Sequence, residues 1–304
     1  MLTLITRKIV QGLMMILIVS MVTFALLNLA GGDAFSHLRD NPQISEKTIE
    51  DLRQIYGLDR PLPIRYATWL GRAVVGEFGE SMYFRVPVGR LVWTRSLSTL
   101  ALSVAALAIA IVVSFGLGIA AARYKNRWLG RLVEAIVFLT ASTPRIVLAL
   151  FALAIIAQVT AVRADAASVM SFWFAAAALA APLVSIFLAQ LHDGLTETMA
   201  EDFVQLARAK GLSEGAIVRR HAIRAALNPV LTMFGISLGG LLGGSVIVES
   251  VLGREGLGTL MVSAVLGRDL PLVMGIVLAT SAAVWFGNMF AEMLQAWNDK
   301  RMRA

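Results

Sequence analysis

The chain has 304 residues, 58% hydrophobic and 15% charged, with a mean hydropathy of +0.74 and a formal net charge of +7. Soluble domains run at about 45–50% apolar and about 25% charged, so a soluble domain of this size could not hide the apolar surface. Cysteine is absent, which excludes a disulfide framework and a thiolate metal site.

A hydrocarbon core about 30 Å thick, crossed at 1.5 Å per residue, asks for roughly 20 apolar residues per helix. Six segments meet that length: residues 9–30, 97–122, 135 to about 162, 169–191, 225–248 and 270–291. Five carry no charged side chain, and the third carries Arg145. Barrel strands would show alternating runs of about ten residues, so the pattern predicts an all-α membrane protein with six transmembrane helices. The first segment is longer than a signal-peptide core and lacks an A-x-A type site, so it is read as a retained span. The expected organisation is an N-terminal transmembrane helix (1–30), an external segment (31–96), a core of five helices (97–293) with a cytoplasmic loop (192–224), and a cytoplasmic tail (294–304).

Lys and Arg set the expected orientation, because cytoplasmic flanks are enriched in them. Fourteen fall on one side, at Arg7 and Lys8, in the 123–131 connection, in the 208–224 loop and in the tail. The other side has nine across residues 31–96, a segment too long to count under the rule, then Arg163, Arg254 and Arg268. Both termini are therefore expected in the cytoplasm, and the basic charge is a topology signal rather than a nucleic-acid footprint.

In the external segment, SEKTIEDLRQIYGL reads as a short helix: Ser45 is the N-cap, Ile49, Leu52 and Ile55 share one face, and Gly57 is the stop. Asp59, Arg60, Pro61 and Pro63 then make a turn. Tyr66, Trp69, Leu70 and Val74 follow as a second short helix along the membrane surface. In the third span, Arg145 follows Pro144 at a depth where a cation costs at least about 2.5–3.5 kcal/mol. Two readings stay open for it: lining a pathway where it meets an anionic group, or a structural role, paired with an acid or snorkelling.

The internal loop is the most informative stretch. In EDFVQLARAKGL, Glu201 and Asp202 stand at a helix start, Arg208 and Lys210 at its end, and Gly211 as the stop, matching the helix dipole at both ends. Ten residues give about 15 Å, too short to span. Ser213 and Glu214 then open a second helix that runs through Ile217, Val218 and His221 towards Asn228 and Pro229. The fifth span carries Gly235, Gly239, Gly240, Gly243 and Gly244, read as one face for close helix approach and, where the neighbour moves, a sliding surface. Pro144 and Pro229 are expected kinks, structural or gating. Glu249 reads as a solvated end residue.

EDFVQLARAKGLSEGAIVRRHAIRAALNPVLT resembles the EAA loop of ABC importer membrane subunits, in the form found in dipeptide, oligopeptide and nickel permeases. YGLDRPLPIRYATWL, GEFGES and VIVESVLGREGLGTLMVSAVLGRDLPLVMGIVL resemble further segments of the same permeases, in the same order. The sequence departs from the family in three places. Gln205 and Leu206 replace the consensus glutamate and first alanine, the 163–168 connection is short, and Asn298, Asp299 and Lys300 stand where the family usually ends in Asp-Pro-Arg.

The resemblance implies a type I ABC importer permease fold. It implies a coupling helix that docks on a cytoplasmic ATPase through Glu201, Asp202, Phe203, Gln205, Leu206, Ala207, Arg208, Lys210 and Gly211. It also implies two ATPase subunits or domains that hold the ATP and Mg, a second homologous permease, an external binding protein delivering a peptide or similar solute, and a place in the bacterial inner membrane. Arg145 and Pro144 are the candidates for the translocation pathway. No phosphate loop or HExxH occurs, and His37, His192 and His221 fall in three separate segments, so the chain itself is expected to hold no cofactor or metal and to catalyse nothing. A secondary transporter would show internal repeats and paired interrupted helices, and an intramembrane enzyme a nucleophile–base pair or metal cluster; neither pattern is present.

Overall fold

The computed structural model describes residues 2–29, 45–55, 57, 59–124, 127–160 and 167–298. In chain order the helices are α1 (Leu2–Leu29), α2 (Glu46–Ile55), α3 (Leu62–Val74), α4 (Val88–Tyr124), α5 (Arg127–Ser142), α6 (Arg145–Thr160), α7 (Ala167–Ala200), α8 (Asp202–Ala209), α9 (Glu214–Ile217), a π-turn (Val218–Ala222), α10 (Ile223–Val251), α11 (Leu257–Leu266) and α12 (Leu270–Asn298). Five of these, α1, α4, α7, α10 and α12, are long and apolar enough to cross a membrane. A sixth span exists only if α5 and α6 are counted together, because they meet at an angle of 95°.

The kink expected at Pro144 is a full break, which divides the expected third span into two helices. Pro144 cannot donate to the preceding turn, and the helix stops at Ser142 and restarts at Arg145 on the proline carbonyl, which accepts from Val147 (3.0 Å). The helix α4 starts at Val88, nine residues before the apolar span at 97, and takes in the end of the segment read as external. The helix α11 stands in a stretch for which no helix was expected.

The chain divides into two compact units, Met1–Ser98 with Glu255–Ala283, and Thr99–Arg254 with Val284–Ala304. In the first, Val88 and Val92 of α4 pack with Leu257, Leu260 and Ala264 of α11 and Leu272, Val273 and Ile276 of α12. Asp269, fully buried, closes this unit: one carboxylate oxygen accepts from the Ser81 hydroxyl (2.6 Å) and the Tyr83 N–H (3.0 Å), the other from Leu272 N–H at the start of α12 (3.1 Å). The short helix α3 lies against α1, where the Tyr66 and Ser20 hydroxyls share a hydrogen bond (2.9 Å) and Tyr66 meets the Phe24 ring edge-on.

In the second unit α7 is the central helix. Its alanines and leucines, among them Ala175, Ala176, Leu179, Leu183, Phe187, Leu188 and Leu191, are buried against α5, α6 and α10. Small side chains let the neighbours approach, the usual device where lipid removes the hydrophobic drive between helices. The helix continues through Pro182, whose carbonyl accepts from the Ser185 hydroxyl (2.7 Å). At the other end of this unit α12 is zipped to α10 by polar bonds: Gln295 donates to Thr232 Oγ1 (2.7 Å), and Asn298 donates to the Arg224 carbonyl (3.0 Å) and to Asn228 Oδ1 (2.7 Å). Asn298, a departure from the family ending, is thus a clamp in this chain.

Candidate coupling segment and intramembrane polar positions

Residues 201–217 form a helix–turn–helix within the second unit. The helix α8 is two-sided. Val204 and Ala207 are buried against Ile217, with Met199 packed beside them, while Phe203 and Leu206 are 46% and 57% exposed. Glu201, Asp202, Gln205, Lys210 and Gly211 are exposed with them, and Arg208 is half-buried. The nine residues singled out in the sequence therefore fall on one short element, and Ala207 alone among them is a buried anchor rather than part of the open face.

The turn is fixed by its own backbone. Leu212 N–H reaches back to the Ala207 carbonyl (3.2 Å) and Gly211 N–H to that of Arg208 (2.9 Å), a closure that needs a left-handed residue at Gly211, where φ is +79°. Ser213 caps the next helix, its hydroxyl accepting from Ala216 N–H (3.4 Å). Arg208 then joins the two helices, donating through Nε to Glu214 Oε1 (2.7 Å). This pairing was missed at the sequence level, although a basic residue closing one helix six positions before an acid opening the next is a readable signal.

The segment is also tied to the spanning helices. A Cβ on Gly215 would lie 3.3 Å from Arg123 Nε at the end of α4, so that guanidinium rests on α9. Beyond Ile217 the chain enters the π-turn and continues without a break into α10. Further back, Gly194 of α7 sits over Ala226 of α10, where an added Cβ would come within 3.2 Å of the Ala226 Cβ.

Within the spans the five glycines of α10 do not share one face. At 100° per residue they spread over about half the helix circumference. Gly235 and Gly239 face Ala291 and Val284 of α12, Gly244 faces Arg145 of α6, and a Cβ added at Gly240 or Gly243 would meet nothing within 4 Å among the described residues. A methyl group at Gly244 would occupy the space of the Arg145 guanidinium, so the glycine is the seat of that cation. Thr232, Ile236, Gly240, Gly243 and Ile247, spaced by three or four, form an open and uncharged face along α10.

Glu249 overturns its expected solvated position: it is 1% exposed and accepts from the Thr99 hydroxyl (2.7 Å) inside the second unit. A single acid at the end of the run VIVES is the signal that could have raised the question, since a carboxylate at membrane depth is rarely left without partners. Among the described residues no group of three or more His, Asp or Glu side chains could hold a metal ion. His37 lies outside the described residues.

Comparison with known proteins follows the same lines. Residues 114–304 match the profile of the binding-protein-dependent transport system inner membrane component, and residues 1–87 match the profile of the N-terminal part of such membrane components. A Brucella suis protein named a peptide permease is 33% identical over 315 aligned positions covering 98% of each chain. The glutathione transport system permease protein GsiC of Salmonella paratyphi A is 33% identical with 92% of each chain covered. An inward-facing structure of the MetNI methionine ABC transporter superposes with a TM-score of 0.56 at 19% identity, covering 69% of this chain and 96% of the other.

Proposed function

The chain belongs to the binding-protein-dependent family of ABC importer permeases, and from that premise we propose that residues 201–211 are its docking element for a cytoplasmic ATPase. It is an integral membrane protein with the type I permease fold, a transporter subunit and not an enzyme, and its family works with ATPases and an external binding protein. In the finer reading, two ATPase subunits or domains bind below it and carry the ATP and Mg. A second homologous permease packs on it, a binding protein delivers the solute, and the chain lies in the bacterial inner membrane with both termini cytoplasmic. The lysine and arginine distribution supports that orientation. The relatives' names support a peptide or a similar small solute as cargo.

The observation that carries the docking assignment is the two-sidedness of α8. A helix of eight residues is anchored by Val204 and Ala207 and exposes Phe203 and Leu206 within a rim of charged and polar side chains. That is the arrangement of a protein–protein contact with an apolar centre and a polar rim. Movement imposed on α8 passes to α9 through the Arg208–Glu214 pair and the Ile217 contact, then to α4 through Arg123 and to α10 through the π-turn. ATP-driven closure of the ATPases thereby biases two arrangements of the spans, facing inward and outward. The open face of α10 supports a second permease as its neighbour. Arg145, seated on Gly244 after the Pro144 break, supports a place for both residues on the solute path.

Capture of the ATPase by the detergent-solubilised complex tests the reading. Phe203→Asp and Leu206→Asp are expected to lower capture by about tenfold or more, as loss of a central apolar anchor does, with an unchanged thermal midpoint because both side chains are exposed. Unchanged capture together with unchanged transport-linked ATP hydrolysis would sink the assignment. For the path, Arg145→Leu and Gly244→Ala should both depress uptake in a fully assembled complex, and normal uptake in either would remove Arg145 from it.

A further inference from the structure

The first unit contains a cavity of about 340 Å³ between α1, α3, the 76–82 segment and the start of α12. Phe24 of α1 and Leu270 and Pro271 of α12 form its apolar wall. Around them stand cations and anions together: Arg60, Arg65 and Arg72, with Glu77 and Glu80. Arg65 is partly committed, donating to Asn28 Oδ1 (2.9 Å) and lying over the Phe24 ring. Among the described residues, Arg60 and Arg72 form no ion pair with Glu77 or Glu80. Trp69 also lines the cavity.

The position of the cavity restricts what its ligand can be. Phe24 lies five residues, about 7.5 Å, before the last described residue of the spanning helix α1. Its ring meets Tyr66 of α3 edge-on. The helix α3 has no buried residue and leaves Ile64 and Val74 51% and 78% exposed, with Tyr66 and Trp69 on the same element. Aromatic rings, arginines and exposed aliphatic side chains on a short helix beside the end of a span are the marks of the membrane–water interface. A site there opens onto lipid headgroups, and exposed Ile64 and Val74 offer contact to acyl chains.

We propose that this cavity binds the headgroup of a zwitterionic phospholipid carrying a primary ammonium, of the phosphatidylethanolamine class. The phosphate diester accepts from the guanidinium groups of Arg60 and Arg72, and the ammonium donates to the carboxylates of Glu77 and Glu80. The mixed lining selects this chemistry. A purely anionic headgroup meets two carboxylates, a choline group cannot donate to them, and a cation alone meets three arginines.

The test uses the full chain, purified in detergent, stripped of lipid, and followed by native mass spectrometry. Dioleoyl phosphatidylethanolamine, phosphatidylglycerol and phosphatidylcholine are titrated separately onto the wild type. One ethanolamine lipid is expected to be held about tenfold more tightly than either of the others. R60Q/R72Q should remove that tight site, and E77Q/E80Q should bring the ethanolamine lipid down to the level of the glycerol lipid. Equal retention of the three lipids by the wild type, which needs no variant, overturns the proposal, as does undiminished retention in R60Q/R72Q. Soluble glycerophosphoethanolamine separates lipid from free headgroup: weak competition supports a lipid site, and displacement at equal concentration overturns it. Displacement by dialanine, or by an acidic surface of the external binding protein, would assign the cavity to one of those ligands instead.

Discussion

Two helix–helix joints, one in each unit, use the same backbone turn for opposite ends. At α8–α9, Leu212 N–H returns to the Ala207 carbonyl and Gly211 N–H to that of Arg208. At α11–α12, Asp269 N–H returns to Ala264 (2.8 Å) and Arg268 N–H to Val265 (3.1 Å). The left-handed residue is glycine in the first and Arg268, with φ of +50°, in the second. What differs is the residue that follows. In the first joint it is Leu212, exposed and followed by the small cap Ser213; in the second it is Asp269, a buried carboxylate gathering three donors from the 81–84 segment and α12. Backbone geometry makes the turn, and the burial of one polar side chain decides whether it is a lock or an exposed handle.

The sharpest way to break this contrast is Asp269→Ala. It leaves the Ser81 hydroxyl and the Tyr83 and Leu272 N–H groups without an acceptor in a dry setting, and the expected cost is about 3 kcal/mol or more. The midpoint of unfolding in detergent should fall well below that of wild type. A loss no larger than that of Ser213→Ala would show that the buried carboxylate is not a lock. Gly211→Ala comes next. A Cβ there meets nothing within 4 Å, so the penalty is purely conformational, about 1 kcal/mol for a left-handed residue. Its effect should be local: faster hydrogen exchange across residues 202–215 and weaker ATPase capture, with the global midpoint held. A cooperative loss of the whole fold would instead put this turn in the same class as the α11–α12 joint.

Smaller again is the pair that joins α8 and α9. Arg208 and Glu214 are 34% and 35% exposed at their side chains, so solvent screening leaves about 0.5 kcal/mol or less to their coupling. A double-mutant cycle on Arg208→Gln and Glu214→Gln, read by exchange of the Ala207 and Leu212 amides, measures it. A coupling several times larger would mean that the handle is held by charge rather than by Val204, Ala207 and Ile217.

Both joints show how far sequence reasoning reaches. Local signals were readable because local physics decides them: apolar length for the spans, Ser45 and Ser213 as caps, Gly57 and Gly211 as left-handed stops. The nine residues of the 201–211 segment were legible as one short helix and its stop, but buried Ala207 was not separated from its exposed neighbours, because three- and four-residue spacing does not say which side has a partner. The bend at Pro144 had its local cause in view, while its 95° angle depends on how α5 and α6 each pack on α7. Glu249 and Asp269 were missed as buried polar centres because their partners, Thr99 and Ser81, lie 150 and 188 positions away in the chain. The glycines of α10 failed as a single stripe for a geometric reason: residues one apart on a helix point 100° from each other. The helix α11 was invisible because LGTLMVSAVL has no polar face to give it a period.

A third joint, α10–α11, supplies the exposed counterpart of the buried carboxylate and the smallest effect. Gly253 carries the left-handed turn there, with φ of +62°, and Glu255 beyond it pairs with Arg95 of α4. Glu255 is 78% exposed at its side chain, whereas Asp269 is fully buried. The hydrogen bond and then the charge of Arg95 hold the Glu255 carboxyl below the ordinary glutamate value, with slight burial acting the other way. A carboxyl whose pKa is lowered on folding stabilises the fold above its unfolded value and loses that contribution as pH falls through the folded value. Wild type and Arg95→Gln should therefore differ slightly in thermal midpoint at neutral pH, and the gap should close as the pH falls below the ordinary glutamate range and through the lowered folded value, and shrink in about 1 M salt. A gap that persists in acid would mean that Arg95 stabilises the joint through packing of its stem rather than through the carboxylate, and exposure would then no longer explain why this acid is expendable while Asp269 is not.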